Sequence, residues 1–200
     1  MTNIEKVKKY IEEGKGENYM PLLVALINMR FEPFYLEDVV FFKDLYTLSK
    51  SPDVRNHILH SLVLRCLDYN LKDFFLSAFK RERYLDMRLT ALRGYAHYAS
   101  ESEVLLCTDK FIEVLKKRAQ TKPWNYQEYE LLRSVFGLPY LVKTYGYVCF
   151  KEALAQLERQ YEAMPDLCKG FFTLDEEGMV VRLMSEEETK ANLQKLSKLS

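Results

Sequence analysis

A ten-residue pattern begins at Asp53 and begins again at Asp86, 33 positions later. The first copy runs Asp53-Val54-Arg55-Asn56-His57-Ile58-Leu59-His60-Ser61-Leu62. The second runs Asp86-Met87-Arg88-Leu89-Thr90-Ala91-Leu92-Arg93-Gly94-Tyr95, with Ala96 after it. Each copy reads Asp, apolar, Arg, two residues, a pair that can be buried, two residues, and one more residue for the same face. A repeat of this length belongs to stacked helical hairpins, because one hairpin cannot bury its own apolar face and must lean on the next.

The rest of the chain supplies hairpins to stack. With 48% hydrophobic residues and only seven Gly and six Pro, it has material for a core and few breaks. Helical spacing predicts helices over 3–13 (Asn3 as N-cap), 17–30 (Pro21 in its first turn), 35–49, 53–67, 70–81 and 84–99. Ser100 and Glu103 form a capping-box pattern that opens a helix to about Ala119. Further helices are expected over 125–136 and 149–164, the latter ended by Pro165. Between them, Pro139 to Tyr147 reads as a tyrosine-rich surface patch or a corner between helices. Residues 170–184 read as two strands around a Gly178 turn. Ser185 then caps a last helix over 186–199, with three Glu at its positive end.

The Asp-x-Arg pairs followed by buried positions resemble the second helix of HEAT repeats. The resemblance covers 35–119 best and extends less completely over 3–30 and 123–164, where Asp-x-Arg does not recur. It implies an all-α fold: a HEAT-like superhelix of antiparallel helical hairpins over 1–165. Residues 166–200 would add a small C-terminal β-hairpin and a terminal helix, packed as a cap on the same domain. It also implies a ladder of bonds between adjacent repeats at Asp53, Arg55, Asp86 and Arg88. The second helices would then line a concave binding face. With Val54, Ile58, Leu62, Met87, Ala91, Leu92 and Tyr95 taken as core, Asn56, His60 and Arg65 point away from it on one helix. Leu89, Arg93 and His97 do so on the next, followed by Tyr126, Tyr129 and Arg133. Arg, His and Tyr in one stripe suit a protein-binding surface.

Charge and chemistry narrow the function. Twenty-nine basic residues balance twenty-nine acidic ones, so no net field draws the chain to nucleic acid or to an anionic membrane. Cys66, Cys107, Cys149 and Cys168 show no metal spacing and read as reduced thiols of a cytoplasmic protein. His57 and His60 lie three apart but lack a third ligand partner, and no metal or cofactor is expected. There is no nucleophile motif and no phosphate-binding glycine loop, which favours a binding module over an enzyme. HEAT-like repeats serve mostly as scaffolds. A small chain of this class suits a bacterial immunity protein that neutralises a partner toxin. The alternative is a HEAT-like DNA glycosylase acting on alkylated bases. It would stack the damaged nucleotide on Trp124, Tyr126 and Tyr129 and hold phosphates with Lys116, Lys117, Arg118 and Lys122.

Overall fold

A computed structural model describes residues 1–106, 131–134, 137–163, 172–174 and 180–182, together with residues 187, 191 and 194. The described structure is predominantly helical, and the chain divides into two compact units, Met1–Ala99 and Ser100–Ser200. The expected boundary near 165 falls outside the described residues.

The first unit contains α1 (Asn3–Glu12), α2 (Met20–Asn28) with a 3-10 turn at Met29–Phe31, and α3 (Leu36–Leu48). It continues with α4 (Pro52–Arg65), α5 (Lys72–Arg81) and α6 (Leu85–Tyr98). Helices pack in sequence pairs, α1 on α2, α3 on α4 and α5 on α6, and the even-numbered members also touch along α2, α4 and α6. The apolar periodicity explains this arrangement. Leu22, Leu26, Met29, Val54, Ile58, Leu59, Leu62, Phe75, Ala78, Met87, Ala91 and Leu92 are all buried in the core. Pro21 and Pro52 sit in the first turn of their helices, where a missing N–H removes no helical bond. Ser51 caps α4 by accepting from Val54 N–H at 3.4 Å. The cap of α1 differs from the expectation. Thr2, not Asn3, accepts from Glu5 N–H at 3.1 Å, and Glu5 accepts from Thr2 N–H at 2.8 Å in return.

Side-chain hydrogen bonds between neighbouring pairs have a common span. Glu32 accepts from the N–H groups of Asn3 and Ile4 at the start of α1, at 2.8 and 3.1 Å. Glu17 does the same for Lys50 and Ser51 at the start of α4, both at 3.0 Å. Arg65 Nε donates to the Arg30 carbonyl at 2.7 Å. Tyr69 Oη donates to Phe34 O, and Tyr98 Oη to Tyr69 O, a staircase of two steps. Arg81 closes the end of α3 by donating to the carbonyls of Tyr46, Thr47 and Ser49. In the first unit the shortest span among these bonds is 27 residues and the longest is 36. That range brackets the 33-residue spacing of the sequence pattern.

In the second unit the backbone is helical over 101–106 and 131–133. The Ser100–Glu103 capping box forms, with Ser100 N–H donating to Glu103 at 2.9 Å and Glu103 N–H to Ser100 Oγ at 3.4 Å. The continuation toward Ala119, residues 125–130 and Pro165 lie outside the described residues. The segment read as a patch or corner begins with a helix, α7 (Leu138–Tyr145), and turns at Gly146 into α8 (Val148–Glu162), on which α7 packs. Pro139 occupies the first turn of α7, where its missing N–H removes no helical bond. Between α7 and α8, Gly146 takes a left-handed conformation with φ 67°, and no atom lies within 4 Å of where a Cβ would stand. Gly146→Ala is therefore expected to cost about 1 kcal/mol through backbone strain alone, without any clash, measured as a lower urea midpoint at unchanged m-value. Strands β1 (Phe172–Leu174) and β2 (Val180–Arg182) pair antiparallel, with Thr173 opposite Val181. The turn around Gly178 lies outside the described residues, as does most of the final helix, of which residues 187, 191 and 194 are helical.

Candidate partner-binding surface

The ladder positions expected from the repeat pattern behave differently from one another. Arg55 does cross between helix pairs, but its partner is Glu82, in the turn before α6. Nε reaches Oε1 at 2.8 Å and a terminal nitrogen reaches Oε2 at 3.1 Å, a two-pronged ion pair. Tyr46 Oη donates to the same carboxylate at 2.6 Å. Burial pushes the Glu82 pKa up, but the hydrogen bonds from Arg55 and Tyr46 and the charges of Arg55 and Arg81 outweigh it. The net result holds the pKa below the usual glutamate value. Arg88 lies over the Phe79 ring at 4.7 Å. Asp53 and Asp86 sit in the first turns of α4 and α6, where a helix dipole favours an anion. With Pro52, Asn56, Tyr84 and Met87 they line an open cleft of about 370 Å³.

The cleft marks the start of a strip along α4. Asp53, Asn56, His57, His60 and Leu64 follow the i, i+3, i+4, i+7, i+11 spacing of one helix face, and none of them is buried. Asn56 and His60, both expected on the binding face, are here, half-buried. The Oδ1 atom of Asn56 is buried without a hydrogen-bond partner. Burial lowers the His57 pKa, and Arg30 adds to the effect while Asp53 opposes it. Burial also lowers that of His60, helped by Arg93, His57 and Arg30 and opposed by Asp86. Both imidazoles are therefore neutral at pH 7.

The other expected face residues are dispersed. Leu89 through Ala96 are all buried, so Leu89 and Arg93 do not form an exposed stripe on α6; Arg93 is 7% exposed. His97, one residue beyond this run, is exposed and packs edge-on against Tyr98. Arg133 is 2% exposed, ion-paired to Glu158 at 2.8 Å and stacked 3.5 Å over the Tyr161 ring, in the core of the second unit. Its helical spacing was visible in sequence, but its partners twenty-five and more residues away were not. Tyr126 and Tyr129 lie outside the described residues, as do Trp124, Lys116, Lys117, Arg118 and Lys122.

Sequence reasoning passed over Arg30, His57 as a face residue, and Tyr84, all of which border the strip or cleft. Leu36 and Val40, which helical spacing assigns to the buried face of α3 with Val39 and Phe42, are instead exposed and form an apolar patch with Tyr35 around Glu37, because of the four only Val39 and Phe42 turn into the core. Burial pushes the Cys66 thiol up to about 12, with Asp38 and Asp68 adding to it, which leaves no thiolate nucleophile there. Among the described residues no three His, Cys, Asp or Glu side chains come together as a metal site, and no helix is long and apolar enough to cross a membrane. Compared with known proteins, the chain matches no family model, no curated protein and no solved structure.

Proposed function

We propose that the chain is a protein-binding module built as a HEAT-like stack of helical hairpins, with the C-terminal β-hairpin and terminal helix as its cap. The observation that carries this reading is the common span of the inter-pair hydrogen bonds, from 27 to 36 residues. In the first unit, bonds of that span join each helix pair to the next one along, which supports a quasi-one-dimensional stack. Such a stack presents a row of helix faces to a partner, and α4 contributes the polar strip from Asp53 to His60.

Within this class we propose a cytoplasmic inhibitor of one partner protein, of the bacterial immunity type, acting by covering a toxin rather than by chemistry. The test is capture with the full chain as bait in its native host, followed by reconstitution from purified components. A complex that survives gel filtration, with the partner's activity suppressed, supports the reading. In that complex, Asn56→Ala and His60→Ala are each expected to weaken binding by about tenfold, the effect of an anchor worth more than 1 kcal/mol. Steeply salt-dependent binding to duplex DNA with release of an alkylated base would replace this reading with the glycosylase.

A further inference from the structure

We propose that the strip on α4 formed by His57 and His60, with Arg30 beside it, receives a carboxylate side chain of the partner protein. This rests on the protein-binding reading above and adds the chemistry of what is bound. Three observations meet here. First, His57 and His60 are half-buried on one face of α4, and no hydrogen bond or ion pair joins either imidazole to another described residue. Other half-buried polar groups of the first unit are engaged: Glu17, Glu32, Arg55, Tyr69 and Tyr98 each bond a distant segment of the unit. Polar groups removed from water normally find partners, so a concentration of exceptions calls for a reason.

Second, the bond from Arg65 Nε to the Arg30 carbonyl holds the turn after α2 against the last turn of α4. Arg30 itself lies over the Phe31 ring at 5.0 Å, and its Nε is buried without a hydrogen-bond partner. Third, the charges facing the imidazoles are unevenly placed. Arg30 comes from the turn after α2 and Arg93 from α6, while the opposing Asp53 and Asp86 both belong to the first turns of α4 and α6. The two aspartates thus lie at the N-terminal ends of their helices, while Arg30 comes from the turn held against the C-terminal end of α4. An incoming carboxylate meets the Arg30 charge and becomes the acceptor for each imidazole. Each imidazole takes up one proton from solvent as the carboxylate arrives, so binding is linked to proton uptake.

The test needs no identified partner. The Cε1–H resonances of His57, His60 and His97 are followed by NMR against pH in the full chain, alone and with N-acetyl-hexaglutamate. In the presence of the acidic peptide, the His57 and His60 titrations are expected to move to higher pH while that of exposed His97 stays in place. The dissociation constant should rise with pH by about tenfold for each imidazole whose pKa is displaced upward by one unit. His57→Gln/His60→Gln should abolish that pH dependence, and Arg30→Gln, a change on a partly exposed side chain, should weaken binding with the fold intact. Unmoved titrations overturn the proposal, and so does equal binding of hexaglutamine or an equal effect of inorganic phosphate. None of those outcomes touches the capture experiment, which fails or succeeds independently.

Discussion

Glu82→Ala is expected to destabilise the first unit by about 2–3 kcal/mol, below the full cost of stranding a buried charge because the partner, Arg55, is only half-buried. Glu82 is 5% exposed and is the point at which three elements meet. It receives Tyr46 from α3 and the two-pronged Arg55 from α4, and it belongs itself to the turn between α5 and α6. Removing the carboxylate leaves the Arg55 guanidinium without its counter-charge, with only the Ser49 and Lys50 carbonyls as acceptors at 3.3 and 3.0 Å, and the Tyr46 hydroxyl without its acceptor. Urea denaturation followed by circular dichroism reads the loss. Arg55→Ala/Glu82→Ala should cost clearly less than the two single changes summed, because the second removal no longer strands a charge. The pH dependence has a definite sign. The folded-state pKa of Glu82 lies below its unfolded value, so the ionised carboxylate stabilises fully above the ordinary glutamate range, about 4.3. That contribution disappears as pH falls through the folded value, and Glu82→Gln should flatten the acid limb of the stability profile. An acid limb identical in wild type and Glu82→Gln would show that the carboxylate does not hold this junction.

The second large effect is expected at Gly94, where two physical terms oppose each other. Alanine in mid-helix is favoured over glycine by about 1 kcal/mol, so propensity alone predicts a gain. A Cβ on Gly94, however, would stand 2.6 Å from Cγ and Cδ1 of Phe75 and 2.7 Å from Cδ2. The Phe75 ring is fully buried and cannot swing aside, since Phe74 packs edge-on at 5.3 Å and Tyr98 stacks at 6.4 Å. Overpacking should therefore win, with Gly94→Ala losing about 2 kcal/mol net. Phe75→Leu in the same chain should recover part of the loss by vacating the ring's volume. A Gly94→Ala variant more stable than wild type would mean that α5 and α6 separate easily at this crossing.

The helices were legible because the apolar spacing that defines them is local. The expected 53–67 and 84–99 became Pro52–Arg65 and Leu85–Tyr98, and the Ser100 cap was legible from a Ser and a Glu three residues apart. Asn3 misled because either Thr2 or Asn3 can cap. The choice fell to Thr2 because Glu5 lies three residues on, while Glu32 claims the Asn3 side chain. The fastening between pairs was legible only in part. Arg55 was picked out, but its partner Glu82 and the similar Glu17 and Glu32 sit in connections between helices, where no periodicity marks them. The face of α6 was misread for a related reason. Arg93 looks like a surface residue in a helical pattern, and only three-dimensional packing shows that Leu89 to Ala96 are covered on every side. For the same reason Arg133, which alternates correctly for a surface stripe, belongs to a core built with Glu158 and Tyr161.

The uniform reach of the inter-pair bonds bears on how quickly the first unit assembles. Closing a loop costs entropy that grows only as the logarithm of its length, so closures of nearly equal span carry nearly equal penalties. No junction is then the obligatory slow step, and assembly can nucleate at any neighbouring pair and spread both ways. Since contact separation governs folding speed, the unit should reach its native state on the fast, helical-bundle side of the range, with a single exponential in stopped-flow refolding.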